Sequence, residues 1–266
     1  MLEITTFEAR RRVRGTLLLS GSLLAFAGLV IALFPSIKDS GVDFEAYVES
    51  FPPEVQSAFL GGTAVDFTQI EGFLAVELYQ WLWLLVLGVY FAYAAASTIA
   101  GEAESGSLDL LLVNPVSRTR VVVGKFLSLV PSVIAVNALV LAGTYLMVGF
   151  IGEEIDLTDL LTLHTLSVVY LLACAALGLL ASVLFDTPRR AQTVGIGAVF
   201  AMFLVDSLTF DTDYEWVGDP AFSRYFDPTA ILVNGEVDWD GIAILLAVTV
   251  LLVVVAAEYF ERKDVG

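Results

Sequence analysis

The chain has 266 residues, 58% of them hydrophobic and 16% charged, against about 25% charged in soluble domains. With a mean hydropathy of +0.82, that composition excludes a disordered chain, a nucleic-acid binder and an ordinary soluble enzyme, and indicates an integral membrane protein. The net charge of −17, from 30 acids against 13 bases, argues against anionic polymers as ligands, and a single cysteine, Cys174, excludes an intramolecular disulfide and a multi-cysteine metal site.

About 20 apolar residues in a helix cross the hydrocarbon of a bilayer. Six stretches qualify in chain order: Gly15–Phe34, Leu78–Ala100, Phe126–Ile151, Leu160–Phe185, Ala191–Leu208 and Gly241–Phe260. The last is rich in β-branched residues, but a lone strand in lipid leaves its backbone unpaired, so helix is expected there too. The expected fold class is therefore all-α: one transmembrane domain over residues 1–266, with six membrane helices.

Before the first span, Thr5 and Glu8 have capping-box spacing. They predict a short amphipathic helix over Thr5–Arg14, lying on the membrane surface. The same arginine-rich segment resembles a signal peptide or twin-Arg leader. The small residues Ala25 and Ala27 lie inside an apolar run that continues to Phe34, which favours a retained anchor. Between spans one and two, Phe44, Tyr47, Val48 and Phe51 form a helical stripe ended by Pro52-Pro53, and Val55, Ala58 and Phe59 suggest a second short helix. Between spans five and six, Trp216, Phe222, Tyr225, Phe226 and Trp239 read either as a headgroup belt or as a partly re-entrant element or exit rim.

Charge fixes the expected orientation. Eleven of the 13 bases fall on one side of a six-span layout, leaving only Lys38 and Arg224 on the other. The positive-inside rule then places both termini in the cytoplasm, in a multi-pass protein of the cell membrane. Of the 30 acids, 21 fall in the three outer segments. They read either as a cation-attracting vestibule or as an exterior solvated for high salt, as in a halophilic archaeon. Their dispersal without ligand spacing favours the second reading.

No catalytic, cofactor or metal motif is expected. The one Gly-Lys pair, Gly124-Lys125, lacks the rest of a phosphate-cradling loop. His164, the single histidine, reads as an interfacial polar residue, and Asn137 as helix–helix glue. Ionisable residues are missing from the middle of the spans, which disfavours an ion-coupled transporter.

The informative stretch lies between spans two and three. Gly101 and Gly106 let the chain leave span two. Ser107 is a good helix N-cap with Asp109 in the first turn, and Leu108, Leu111 and Leu112 form one apolar face before Asn114-Pro115 ends the helix. This short helix is rimmed by Glu102, Glu104, Arg118 and Arg120. Its apolar face suits either a lipid surface or a protein partner.

The run Glu102-x-Glu104-x-Gly106-Ser107-Leu108-x-Leu-Leu111-Leu112-x-x-Pro115-Val-Ser-Arg118, followed by Gly124-Lys125-Phe126, resembles the signature loop of type-2 ABC exporter permeases. The six-span layout and the ending Phe260-Glu-Arg-Lys-Asp264-Val are similar too. Ser107 stands where threonine is common and keeps the capping hydroxyl. The resemblance implies a permease subunit without catalysis of its own. It would bind two copies of a separate ATP-binding subunit through 101–126 and pair with a second, identical or different, permease subunit. The competing expectation is a membrane scaffold or assembly protein whose loop docks a partner that is not an ATPase. Neither reading names a substrate.

Overall fold

The computed structural model describes residues 2–40, 65–107 and 117–263. The two short helices expected between spans one and two, the Leu108–Val113 part of the loop helix with Pro115, and the tail from Asp264 lie outside the described residues. Among the described residues there are only helices, turns and irregular segments, and six helices are long and apolar enough to cross a bilayer.

The spanning helices are α1 (Leu2–Lys38), α2 (Ile70–Glu104), α3 (Arg118–Phe150), α4 (Leu157–Leu184), α5 (Pro188–Thr209) and, after the short α6 (Pro228–Asn234), α7 (Trp239–Arg262). All six predicted spans are present, each longer than its apolar run. The N-terminal segment differs from expectation. It is the opening turns of α1, not a separate helix lying on the membrane, and Thr5 sits inside it, with its hydroxyl on the Gly124 carbonyl at 3.3 Å. The capping-box spacing was misleading because helix propensity and tertiary contacts carry α1 past it. At about 1.5 Å per residue, α1 is about 55 Å long, far more than the hydrocarbon thickness.

Helix α4 is the hub, packing on α2, α3, α5 and α7, while α1 packs chiefly on α3. It is the most buried of the six, and α5 the least. Small residues set the closest approaches. A Cβ on Gly178 of α4 would lie 2.1 Å from the Ala92 carbonyl oxygen of α2. Where lipid offers no hydrophobic drive between helices, such backbone proximity lets van der Waals contact hold them.

Local chemistry explains the helix ends. The Asp156 carboxylate accepts from the Asp159 and Thr158 amides (3.1 and 2.6 Å) at the start of α4, and those bonds hold its carboxyl below the usual range. Ser117 caps α3, Asp227 caps α6 and Asp238 caps α7. Gly235 ends α6 at a φ of 68°. Within α2, residues Ala75–Leu87 form a π-helical stretch, where the Tyr170 hydroxyl donates to the Leu84 carbonyl at 2.7 Å. A side chain drawing on the ladder in this way accompanies many departures from α geometry.

The five aromatics of the segment 216–239 divide. Trp216 and Trp239 are exposed, whereas Phe222 and Phe226 are buried, with Phe226 stacked on Tyr170 at 5.7 Å. Helix α6 buries Pro228, Thr229, Ile231 and Leu232 against α4 and the N-terminal part of α2. Arg224 ties this segment to the end of α5, pairing with Asp206 (3.1 Å) and Glu215 (3.0 Å).

Candidate coupling site at the basic end

The basic segments meet at one end of the bundle. Lys125, in the third turn of α3, is 2% exposed. Its Nζ donates to Glu8 Oε1 of α1 at 2.9 Å and to Glu102 Oε1 of α2. One cation thus joins the first turns of α1 and α3 to the last turn of α2. Buried charges need such pairing, because an unpaired ammonium away from water costs several kcal/mol, of order the desolvation penalty of the ion.

The other flank of the loop is tied down as well. Arg118 donates to the Phe260 carbonyl at 3.2 Å and to the Lys263 carbonyl, and its guanidinium lies over the Phe260 ring at 5.7 Å. The Thr119 hydroxyl bonds Glu261. Lys263 in turn bonds the Val183 carbonyl (2.9 Å) and Asp186 (2.6 Å) at the end of α4.

The loop's entry has its own support. Helix α2 is interrupted at Ser97–Ile99 before its last turn, Ala100–Glu104. The interruption frees backbone amides, and Ser182 Oγ of α4 accepts from two of them, Ile99 N (2.9 Å) and Ala100 N (3.0 Å). A buried amide left without a partner costs about 1–3 kcal/mol, so this serine holds the exit of α2 against α4. Gly106 then adopts a φ of 70°, the left-handed turn expected of a glycine ending a helix.

Of the ten residues picked from the sequence, Glu102, Arg118 and Lys125 therefore point into the molecule and fix the frame. Glu104, Gly106 and Ser107 are exposed. Ser107 Oγ lies 2.8 Å from Ser105 Oγ. Leu108, Leu111, Leu112 and Pro115 lie outside the described residues. Glu102 was expected at an exposed rim, but its pairing with Lys125 leaves Glu104 as the accessible acid of the pair.

A second polar cluster was not legible from the sequence. His164 lies within the bundle, not at an interface. Its Nδ1 is 3.0 Å from Asn137 Oδ1 and its Nε2 3.0 Å from the Tyr79 hydroxyl. Ser167 also donates to Asn137 Oδ1 (2.5 Å), and Asn137 Nδ2 donates to the Val133 carbonyl (3.0 Å). Because the amide oxygen accepts, Nδ1 carries the proton and Nε2 accepts from tyrosine. The network joins α2, α3 and α4 through a neutral imidazole, so Asn137 is helix–helix glue as its position suggested. Among the described residues there is no group of three or more acids, histidines or cysteines placed to hold a metal.

Six spanning helices packed about α4, with both described flanks of the loop after α2 anchored, define an all-α multi-pass membrane protein. The family model for the ABC-2 family transporter protein matches residues 2–265, and the chain belongs to that family. It is thus a membrane transport component of an ABC system, the membrane subunit and not the ATPase, and such subunits associate with an ABC ATP-binding subunit. Comparison with curated proteins gives no match.

Proposed function

We propose that residues 1–266 act as one permease domain of an ATP-driven exporter of the cell membrane, with the basic end cytoplasmic and the segment 101–126 receiving the ATP-binding subunit. The observation that carries this reading is the anchoring of both flanks of that segment. Glu102 reaches α1 and α3 through Lys125, and Arg118 reaches the end of α7. A push on the loop between these anchors is passed to four helices as rigid-body motion, the kind of transition packed interfaces support. Two ATP-binding subunits and a second permease complete the assembly in this reading. The acid-rich outer surface belongs to a protein of high-salt surroundings.

Two experiments test it. In the first, the ATP-binding subunit is recovered on wild-type permease and on Leu111→Asp. An apolar anchor buried at an interface contributes roughly 1.5–3 kcal/mol, so recovery should fall at least tenfold while the spans stay folded. Equal recovery removes the coupling role and favours the scaffold reading. In the second, an impermeant thiol reagent is applied to intact cells. Cysteines at Ser40 and Asp213, exposed at the acidic end, should be modified, and one at Ser117, exposed at the basic end, should not. Native Cys174 is buried and gives little background. Outside labelling of Ser117→Cys would reverse the orientation.

A further inference from the structure

At the basic end, a cleft opens between α1, α2 and α3 at the level where the apolar run of α1 begins. Its volume is about 130 Å³, room for several water-sized groups and so for a tetrahedral oxyanion. Arg11 and Arg12 form one side of it, with Thr16, Ser132 and Tyr90 beside them. The deeper wall is apolar, from Leu19, Phe91, Leu129 and Val136.

Arg12 brings an unsatisfied donor to this cleft. A surface arginine at a membrane boundary extends its head to water. This one is half-buried, and its Nε is buried without a hydrogen-bond partner among the described residues. Glu8, one turn before it, is the natural partner, but that carboxylate is on Lys125 at 2.9 Å, with Arg11 at 3.9 Å. Glu102 is likewise held by Lys125. Arg10, Arg11, Arg12 and Arg14 are four cations within five residues of a chain whose net charge is −17. The Thr16 hydroxyl donates to the Arg12 carbonyl (2.9 Å) and pairs with Ser132 Oγ (2.9 Å), which sets both at the cleft.

We propose that this cleft binds a phosphate group, carried by an anionic lipid whose chains follow the apolar wall. The guanidinium fork of Arg12 matches phosphate oxygens in a bidentate manner, and a desolvated Nε–H regains its bond there. Basic pockets between membrane helices on the positive side are where phospholipid headgroups are held. A free phosphate ion would use the same donors but would leave the apolar wall uncovered.

The test uses the full-length chain, stripped of lipid in detergent and titrated with phosphatidylglycerol, phosphatidylcholine or inorganic phosphate, with bound species counted by native mass spectrometry. One phosphatidylglycerol should be retained per chain, at least tenfold more tightly than phosphatidylcholine. Arg12→Gln should weaken it about tenfold, and Ser132→Leu, which fills the cleft from α3, should do likewise. Arg190→Gln, an exposed arginine at the same end, should stay within twofold. Equal loss in Arg12→Gln and Arg190→Gln would mean general surface charge and overturn the site. Equal retention of both lipids overturns it too, and displacement of lipid by millimolar inorganic phosphate overturns the lipid as the source.

Discussion

Lys125→Met should destabilise the folded chain by about 3 kcal/mol and cut recovery of the ATP-binding subunit. Methionine keeps the length and volume of the lysine stem, so packing changes little. What changes is charge. Glu8 and Glu102 are 13% and 19% exposed, and Lys125 is 2% exposed. Without the ammonium, two carboxylates face each other with little water to screen them. Breaking a buried pair by removing one partner costs about 3–5 kcal/mol. The partial exposure of the two acids moves the expected figure to the lower end.

The compensating change separates this from a packing defect. Glu8→Gln and Glu102→Gln combined with Lys125→Met remove every charge at similar volume, and such neutral replacements of buried ion groups are often close to neutral in stability. The triple variant should recover most of the loss in chemical unfolding in detergent. If Lys125→Met alone unfolds with the wild-type midpoint, or the triple variant is worse than the single one, the clamp does not hold the three helices together.

How far the sequence carries this structure depends on the range of the forces involved. Membrane spans are legible because the bilayer imposes one requirement, satisfied backbone over about 30 Å. A run such as Gly241–Phe260 meets that requirement by itself. Helix caps at Asp156, Ser117 and Asp227 are equally local, set by a side chain and amides two or three residues away. The clamp is different. Lys125 and Glu8 are 117 positions apart, and nothing near either residue signals the other. Read locally, Glu8 completed a capping box and Glu102 sat on an exposed rim, and both readings gave way to one buried cation. His164 and Tyr79, 85 positions apart, fail for the same reason. A lone histidine near a span end fits an interface until its partners on two other helices are known. Gly106 was legible as a point where the chain leaves α2, since only its own backbone is involved.

Gly178→Ala should cost about 2–3 kcal/mol, the largest effect expected of a single methyl group in this chain. Here α2 and α4 approach so closely that a Cβ would stand 2.1 Å from the Ala92 carbonyl oxygen and 2.8 Å from its carbon. Those atoms are backbone and cannot swing aside as a side-chain tip would. Gly195 of α5 lies against the same point, its added Cβ 3.5 Å from the Gly178 Cα and 3.6 Å from the Ala96 Cβ. Three helices therefore meet on glycine and alanine, and widening one contact loosens the other two. Overpacking a filled core costs typically 1–3 kcal/mol, and the loss of close backbone contact removes the term that holds membrane helices together. Helix propensity acts in the opposite direction, since alanine gains about 0.5–1 kcal/mol over glycine inside a helix. Gly21→Ala isolates that gain, because nothing lies within 4 Å of a Cβ there. The measurement is the unfolding free energy of both variants in the same detergent. Gly21→Ala should match or slightly exceed the wild type while Gly178→Ala falls below it, and Gly178→Val should fall further still. If Gly178→Ala is as stable as Gly21→Ala, α2 and α4 do not cross at backbone contact.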